Sequence, residues 1–170
     1  MHLLRSPGSL ISKLVNIFIA GLVSCIIIVS HAAVSFARND IEGVWIDDTG
    51  KGAVRIMPCG EDSSLCGYIV WLEAGKSRDG IPLRDKLNPD PKKRHRLICG
   101  LQVIGQLQPK PASGWDQGWI YDPKQGQSFD VAVRRLTEDR IEILGYLGIK
   151  FLGKKFIWER APENIKFCSE

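Results

Sequence analysis

Beyond position 37, the residues able to do chemistry are four cysteines, one histidine and a few clustered carboxylates. Cys59 and Cys66 flank a short turn-like segment between two strand-like runs. That spacing suits a disulfide across a hairpin. Cys99 and Cys168 are left for a possible second bridge, although four cysteines permit three pairings. A zinc site is not expected, because His95 stands alone and the cysteines lack paired C-x-x-C spacing. Asp79, Asp85, Asn88 and Asp90 offer hard oxygen atoms of the kind that hold Ca²⁺, but their spacing fits no EF-hand loop. The same side chains suit the capping of turns. Asp85 and Asn88 are also candidates for polar contacts to a ligand. No metal and no cofactor are expected.

Catalytic patterns are missing. The sequence has no G-x-S-x-G elbow, P-loop or dinucleotide-binding glycine pattern. His95 sits inside the basic run Lys92–Arg96, and Cys99 lies in the apolar stretch Leu97-Ile-Cys-Gly. Glu73 and Asp85 would supply a carboxylate pair of the glycosidase type, but nothing in their spacing requires it. The chain is therefore not expected to be an enzyme, with a hydrolase as a third and remote reading. The Lys92–Arg96 run suits either a solvated loop end or contact with anionic head groups at a membrane surface. A net charge of +4 and the lack of a basic and aromatic array point away from nucleic acid.

These residues need a scaffold, and the scaffold reads as β. Length (170 residues), 44% hydrophobic and 25% charged residues describe one ordinary globular domain behind a leader. Strands are predicted near 43–48, 52–58, 66–72, 96–107, 117–121, 127–136, 139–147 and 151–160. The alternation is clearest in Phe129-Asp-Val131-Ala-Val133-Arg. Asp122-Pro123-Lys-Gln-Gly126 reads as a hairpin turn: aspartate caps it, proline presets φ, and glycine takes the left-handed position. About eight short strands with tight turns predict a single antiparallel up-and-down barrel. Eight strands can enclose one small ligand. Trp71, Tyr121 and Tyr146 join Asp85 and Asn88 as candidate ligand contacts, since Trp and Tyr pair an apolar body with a polar tip. The stretch 73–95, with three prolines, is too long for a passive connection and reads as a lid or as mobile filler.

The leader is legible from its own chemistry. Residues 1–37 carry Arg5 and Lys13 and no acid, then an apolar run from Leu14 to Val29, then small residues ending at Ala37. This predicts a signal-peptide helix over 1–37, with cleavage before Arg38. The alternatives are a retained anchor, or a lipoprotein acylated at Cys25 in Leu22-Val-Ser-Cys25. A barrel domain over 38–162 and a tail over 163–170 follow. The expected location is the periplasm or the exterior of a bacterium, with membrane contact only through the leader or a weak surface interaction. Oligomeric state is left open.

Gly43-Val-Trp45 begins the domain and Trp158-Glu-Arg160 ends it. This is similar to lipocalin-like (calycin) barrels, in which a Gly-x-Trp on the first strand packs near an arginine from the last. The whole domain resembles the bacterial family called domain of unknown function 2147. The resemblance rests on Gly43-Val-Trp45, Cys66-Gly67-Tyr-Ile-Val-Trp71-Leu, Asp85-x-x-Asn88-Pro89, Cys99-Gly100-Leu101, Gly118-Trp-Ile-Tyr121-Asp122-Pro123, Gly126, Gly145-Tyr146-x-Gly148, Leu152-Gly153 and Trp158-x-Arg160. It implies a small exported lipocalin-type barrel and supplies no catalytic residues. Trp45, Trp158, Arg160, Asp122, Pro123 and Gly126 are expected to be structural. The functional expectation is an envelope protein that binds a small apolar or amphipathic molecule. The alternative is an interaction or structural module with a filled core.

Overall fold

Alternating apolar and polar side chains give eight strands: β1 (Gly43–Ile46), β2 (Gly52–Cys59), β3 (Ser64–Leu72), β4 (Gln102–Lys110), β5 (Gly114–Asp122), β6 (Gln127–Thr137), β7 (Arg140–Tyr146) and β8 (Lys154–Arg160). They come from a computed structural model that describes residues 41–60, 63–111 and 114–168. The leader, the cleavage point before Arg38 and Cys25 lie outside the described residues. Each strand pairs antiparallel with the next, and β8 returns to β1, closing the barrel.

Closure is short. Among the described residues, only Trp45↔Arg160 and Ile46↔Glu159 register across it. The Arg160 guanidinium lies 4.2 Å from the centroid of the Trp45 ring, a contact worth about 0.5–2 kcal/mol. Trp45 is fully buried, and its Nε1 donates to the Ile41 carbonyl at 2.8 Å. A Cβ on Gly43 would fall 2.6 Å from Arg160 Nη1. The glycine, the indole and the arginine therefore form one device.

The Cys59–Cys66 bridge forms with Cα atoms 5.7 Å apart. It runs diagonally rather than between facing positions, since Cys59 registers with Ser64 and Cys66 with Met57. The fourth strand corrects the sequence reading: it begins at Gln102, not near 96. Leu97 instead bridges Arg84, the Ile98 amide donates to Leu83, and Gly100 turns the chain at φ 81°. The apolar residues 97–99 belong to the β3–β4 connection.

Cross-strand partners share a face, so the register identifies the interior. The base of the barrel carries the β2–β3, β4–β5 and β6–β7 hairpins, and side chains fill it. Trp45, Trp115, Leu107, Val131 and Ile141 are each at most 1% exposed. Gly67 sits inside this packing, where an added Cβ would lie 2.9 Å from Val54 Cγ1 and 3.0 Å from Ile104 Cβ. The other end carries the β1–β2, β3–β4, β5–β6 and β7–β8 connections and is looser. There the inward-facing Ile120, Phe129 and Phe156 are half-buried, and a Cβ at Gly145 would meet nothing within 4 Å.

Paired substitutions test this asymmetry. Gly67→Ala forces a methyl between two stiff β-branched side chains and is expected to destabilise by about 1–3 kcal/mol. Gly145→Ala is expected to be neutral, or to stabilise by up to about 1 kcal/mol. Denaturant midpoints at unchanged slope read both.

Candidate ligand-binding site

The β3–β4 connection, residues 73–101, packs back onto the barrel through a buried carboxylate. Asp85 has no exposed surface. Tyr121 Oη donates to its Oδ1 at 2.6 Å. Asn88 Nδ2 and Arg96 Nη2 each donate to its Oδ2 at 2.8 Å. Asn88 Nδ2 also reaches Tyr121 Oη at 3.1 Å. Burial alone would raise the Asp85 pKa. The Tyr121, Arg96 and Asn88 hydrogen bonds and the Arg96 charge outweigh it, so the carboxyl titrates below its ordinary 3.8. Burial, and then the Asp85 carboxylate, push the Tyr121 phenol up to about 12. The acid is therefore held as an anion and the phenol as a donor.

Neighbouring side chains shape the same segment as turn caps. Asn88 Oδ1 accepts from the Asp90 amide at 2.9 Å. Asp90 Oδ1 accepts from the Lys92 amide at 2.9 Å, capping a short 3-10 turn over Pro91–Lys93. On the barrel side, Asp122 Oδ1 caps Lys124 and Pro123 follows in the turn. Gly126, at φ 67°, presses so closely on the Leu87 carbonyl that any Cβ there would collide with it. The β5–β6 turn and the long connection are thus fitted to each other.

Trp71 belongs to a different feature. A groove of about 560 Å³ runs between the end of β3, the long connection and the C-terminal tail. Its walls are Trp71, Leu72, Ala74, Pro82, Leu83 and Leu97, with Lys76 and Lys166 among them. The tail forms a wall because Cys168 bonds to Cys99, with Cα atoms 6.1 Å apart at a sequence separation of 69. The Cys168 amide donates to Val70, and Arg55 lies 4.4 Å over the Phe167 ring. A loop of that length contributes about 4 kcal/mol when closed, in the chain-entropy account.

Tyr146 lies in a third place. Its hydroxyl meets Asp116 Oδ1 at 3.3 Å, and Asp116 is ion-paired with Lys150. Burial would raise the Asp116 pKa, but the Lys150 contact and the Gln117 amide bring it below the ordinary value. Burial raises the Tyr146 phenol.

The structure brings Asp85, Asn88 and Tyr121 together, sets Trp71 in the groove and gives Tyr146 other partners. Glu73 pairs instead with Lys51, at 3.9 Å. No hydrogen bond joins Glu73, Asp85 and His95 among the described residues. Sequence reasoning missed Arg96, hidden inside a basic run, and Lys76 and Lys166. Only the Cys99–Cys168 pairing signalled that the tail folds back.

Residues 43–160 match a family described as an uncharacterized protein conserved in bacteria, DUF2147. The chain belongs to this family. A search of curated proteins finds no match. Among solved structures, HP1028 from Helicobacter pylori, described as belonging to the lipocalin family, superposes with a TM-score of 0.60 at 22% identity. The match covers 77% of this chain and 86% of that one. At that identity the likeness shows the fold: this DUF2147 chain is a lipocalin-like barrel.

Two outcomes follow from the clamp. Tyr121→Phe removes a donor from a sealed carboxylate and is expected to cost about 1–3 kcal/mol. Acid should undo the clamp, since the native Asp85 pKa lies below 3.8 and the released chain takes up the proton first. The stabilisation is thus complete above that value and is lost as pH falls through the lower native one. Hydrogen exchange at the Asp85 and Ile98 amides, corrected for intrinsic rates, should accelerate between pH 5 and pH 2. Unchanged protection at pH 2 would contradict the assignment.

Proposed function

We propose that this protein is an exported, non-enzymatic binding protein of the bacterial envelope, and that its groove takes a small amphipathic molecule with an anionic head. One observation carries the reading. An apolar groove of about 560 Å³ holds two lysines, Lys76 and Lys166, that make no ion pair among the described residues. Its volume falls in the range of about 300–1,000 Å³ typical of small-molecule sites. Trp71 and the leucines would cover the apolar part, and the lysines would meet the head group.

An eight-stranded barrel was expected to hold a ligand on its axis; in this reading the ligand lies instead in the groove beside the open end, with the packed base as support. The long connection then acts as a wall fixed by Asp85 rather than as a free lid. The two disulfides fit an oxidising compartment, which supports export and agrees with the leader.

Titration with dodecanoate, and with dodecyltrimethylammonium as the cationic counterpart, tests the proposal. Dodecanoate should bind more tightly. Trp71→Ala should weaken it about ten- to thirty-fold, the equivalent of about 1.5–2 kcal/mol of lost burial. Lys76→Gln with Lys166→Gln should erase the preference for the anion. Equal affinity for the two amphiphiles, or indifference to Trp71→Ala, would overturn it.

A further inference from the structure

The open end of the barrel exposes apolar side chains that the core does not use. The β7–β8 connection, Leu147-Gly-Ile-Lys-Phe-Leu-Gly153, leaves Phe151 93%, Leu152 76%, Leu147 63% and Ile149 60% exposed. The up-and-down topology puts the β3–β4 connection at the same end, with Ile81 at 57% and Leu87 at 58% exposure. A short 3-10 turn over Lys150–Leu152 holds the tip, with the Leu152 amide donating to Ile149 and the Gly153 amide to Lys150.

The charge around these side chains is net positive, although the Gly148 amide donates to the Asp130 carboxylate at 3.1 Å. No acidic residue occurs from Leu147 to Trp158, while Lys150, Lys154 and Lys155 do. Lys150 is tied to Asp116 and Lys155 to Glu142. Lys154 has no carboxylate partner among the described residues and lies 4.9 Å from the centroid of the Phe156 ring. Residues 73–96, at the same end, carry eight basic against four acidic side chains, and one of those acids, Asp85, is sealed inside. At the base, the β6–β7 turn presents Glu138 and Asp139 instead. The apolar tips therefore stand at the positive end of the molecule.

We infer that the open end docks on an anionic lipid bilayer, with Phe151 and Leu152 entering the interface and the surrounding lysines and arginines facing lipid phosphates. Apolar tips and surrounding basic charge add in such binding, and the electrostatic part requires negative lipids. The inference goes beyond ligand binding in the groove and does not depend on it. It gives the barrel an orientation, with its open end toward the membrane.

The test uses the full chain, and the readout is local, so an apolar leader cannot mimic it. Amide hydrogen exchange over 147–152 is followed with phosphatidylglycerol vesicles and with phosphatidylcholine vesicles. Protection should appear with phosphatidylglycerol, be weak with phosphatidylcholine and fade in high salt. Phe151→Asp with Leu152→Asp, both at exposed positions, should abolish it without shifting the unfolding midpoint. No protection with either vesicle overturns the inference, and equal, salt-independent protection with both overturns its anionic part. Protection that grows with protein concentration in the absence of vesicles would assign the face to a second copy instead. Loss of dodecanoate binding with rim protection intact would remove the groove proposal alone.

Discussion

A carboxylate with no exposed surface dictates where the longest connection of this protein lies. Asp85 stays ionised in a dry site only because a phenol, an amide and a guanidinium all donate to it. Three of the four groups come from the connection itself, and the fourth, Tyr121, comes from the barrel. Removing one partner from such a cluster leaves uncompensated polarity behind, which costs far more than the cluster gains over a neutral core. The geometry is therefore all or nothing. With Asp85 in place, residues 82–83 and 97 become a wall, and the Cys99–Cys168 bridge brings the tail up as the opposite one.

The barrel divides its tasks along its axis. At the base, tryptophans and β-branched residues fill the cross-section until only glycine fits at position 67. The indole and guanidinium of Trp45 and Arg160 complete the short seam between the first and last strands. At the other end the inner ring is half-covered, and the β3–β4 connection is long and basic. A filled base gives a rigid support, and the proposed recognition surfaces belong to the connections around the open end.

Much of the barrel was legible in the residues. Period-two alternation marks β6 and β7, Asp122-Pro123 through Gly126 marks their preceding turn, and Gly43-x-Trp45 with Arg160 marks the seam. Strand β4 was misplaced because Leu97-Ile98-Cys99 is apolar for a reason other than pairing in the sheet. Alternation reports burial and not which surface does the burying. The site was legible only in part. Asp85, Asn88 and Tyr121 carry the right chemistry, yet nothing local says that Tyr121 meets Asp85 across 36 residues. Arg96 looked like one charge of a solvated run. Lys166 sits in a tail held by the bond from Cys168 to Cys99, 69 positions earlier in sequence.

In the proposed complex the ligand lies beside the barrel, between Trp71, the fixed connection and the bridged tail. An experimental structure of the protein saturated with dodecanoate addresses that placement directly. The predicted result is an alkyl chain against Trp71, Leu83 and Leu97, with its carboxylate near Lys76 or Lys166. An alkyl chain threaded into the barrel past Phe129 and Phe156, with the Trp71 groove holding only solvent, would contradict it.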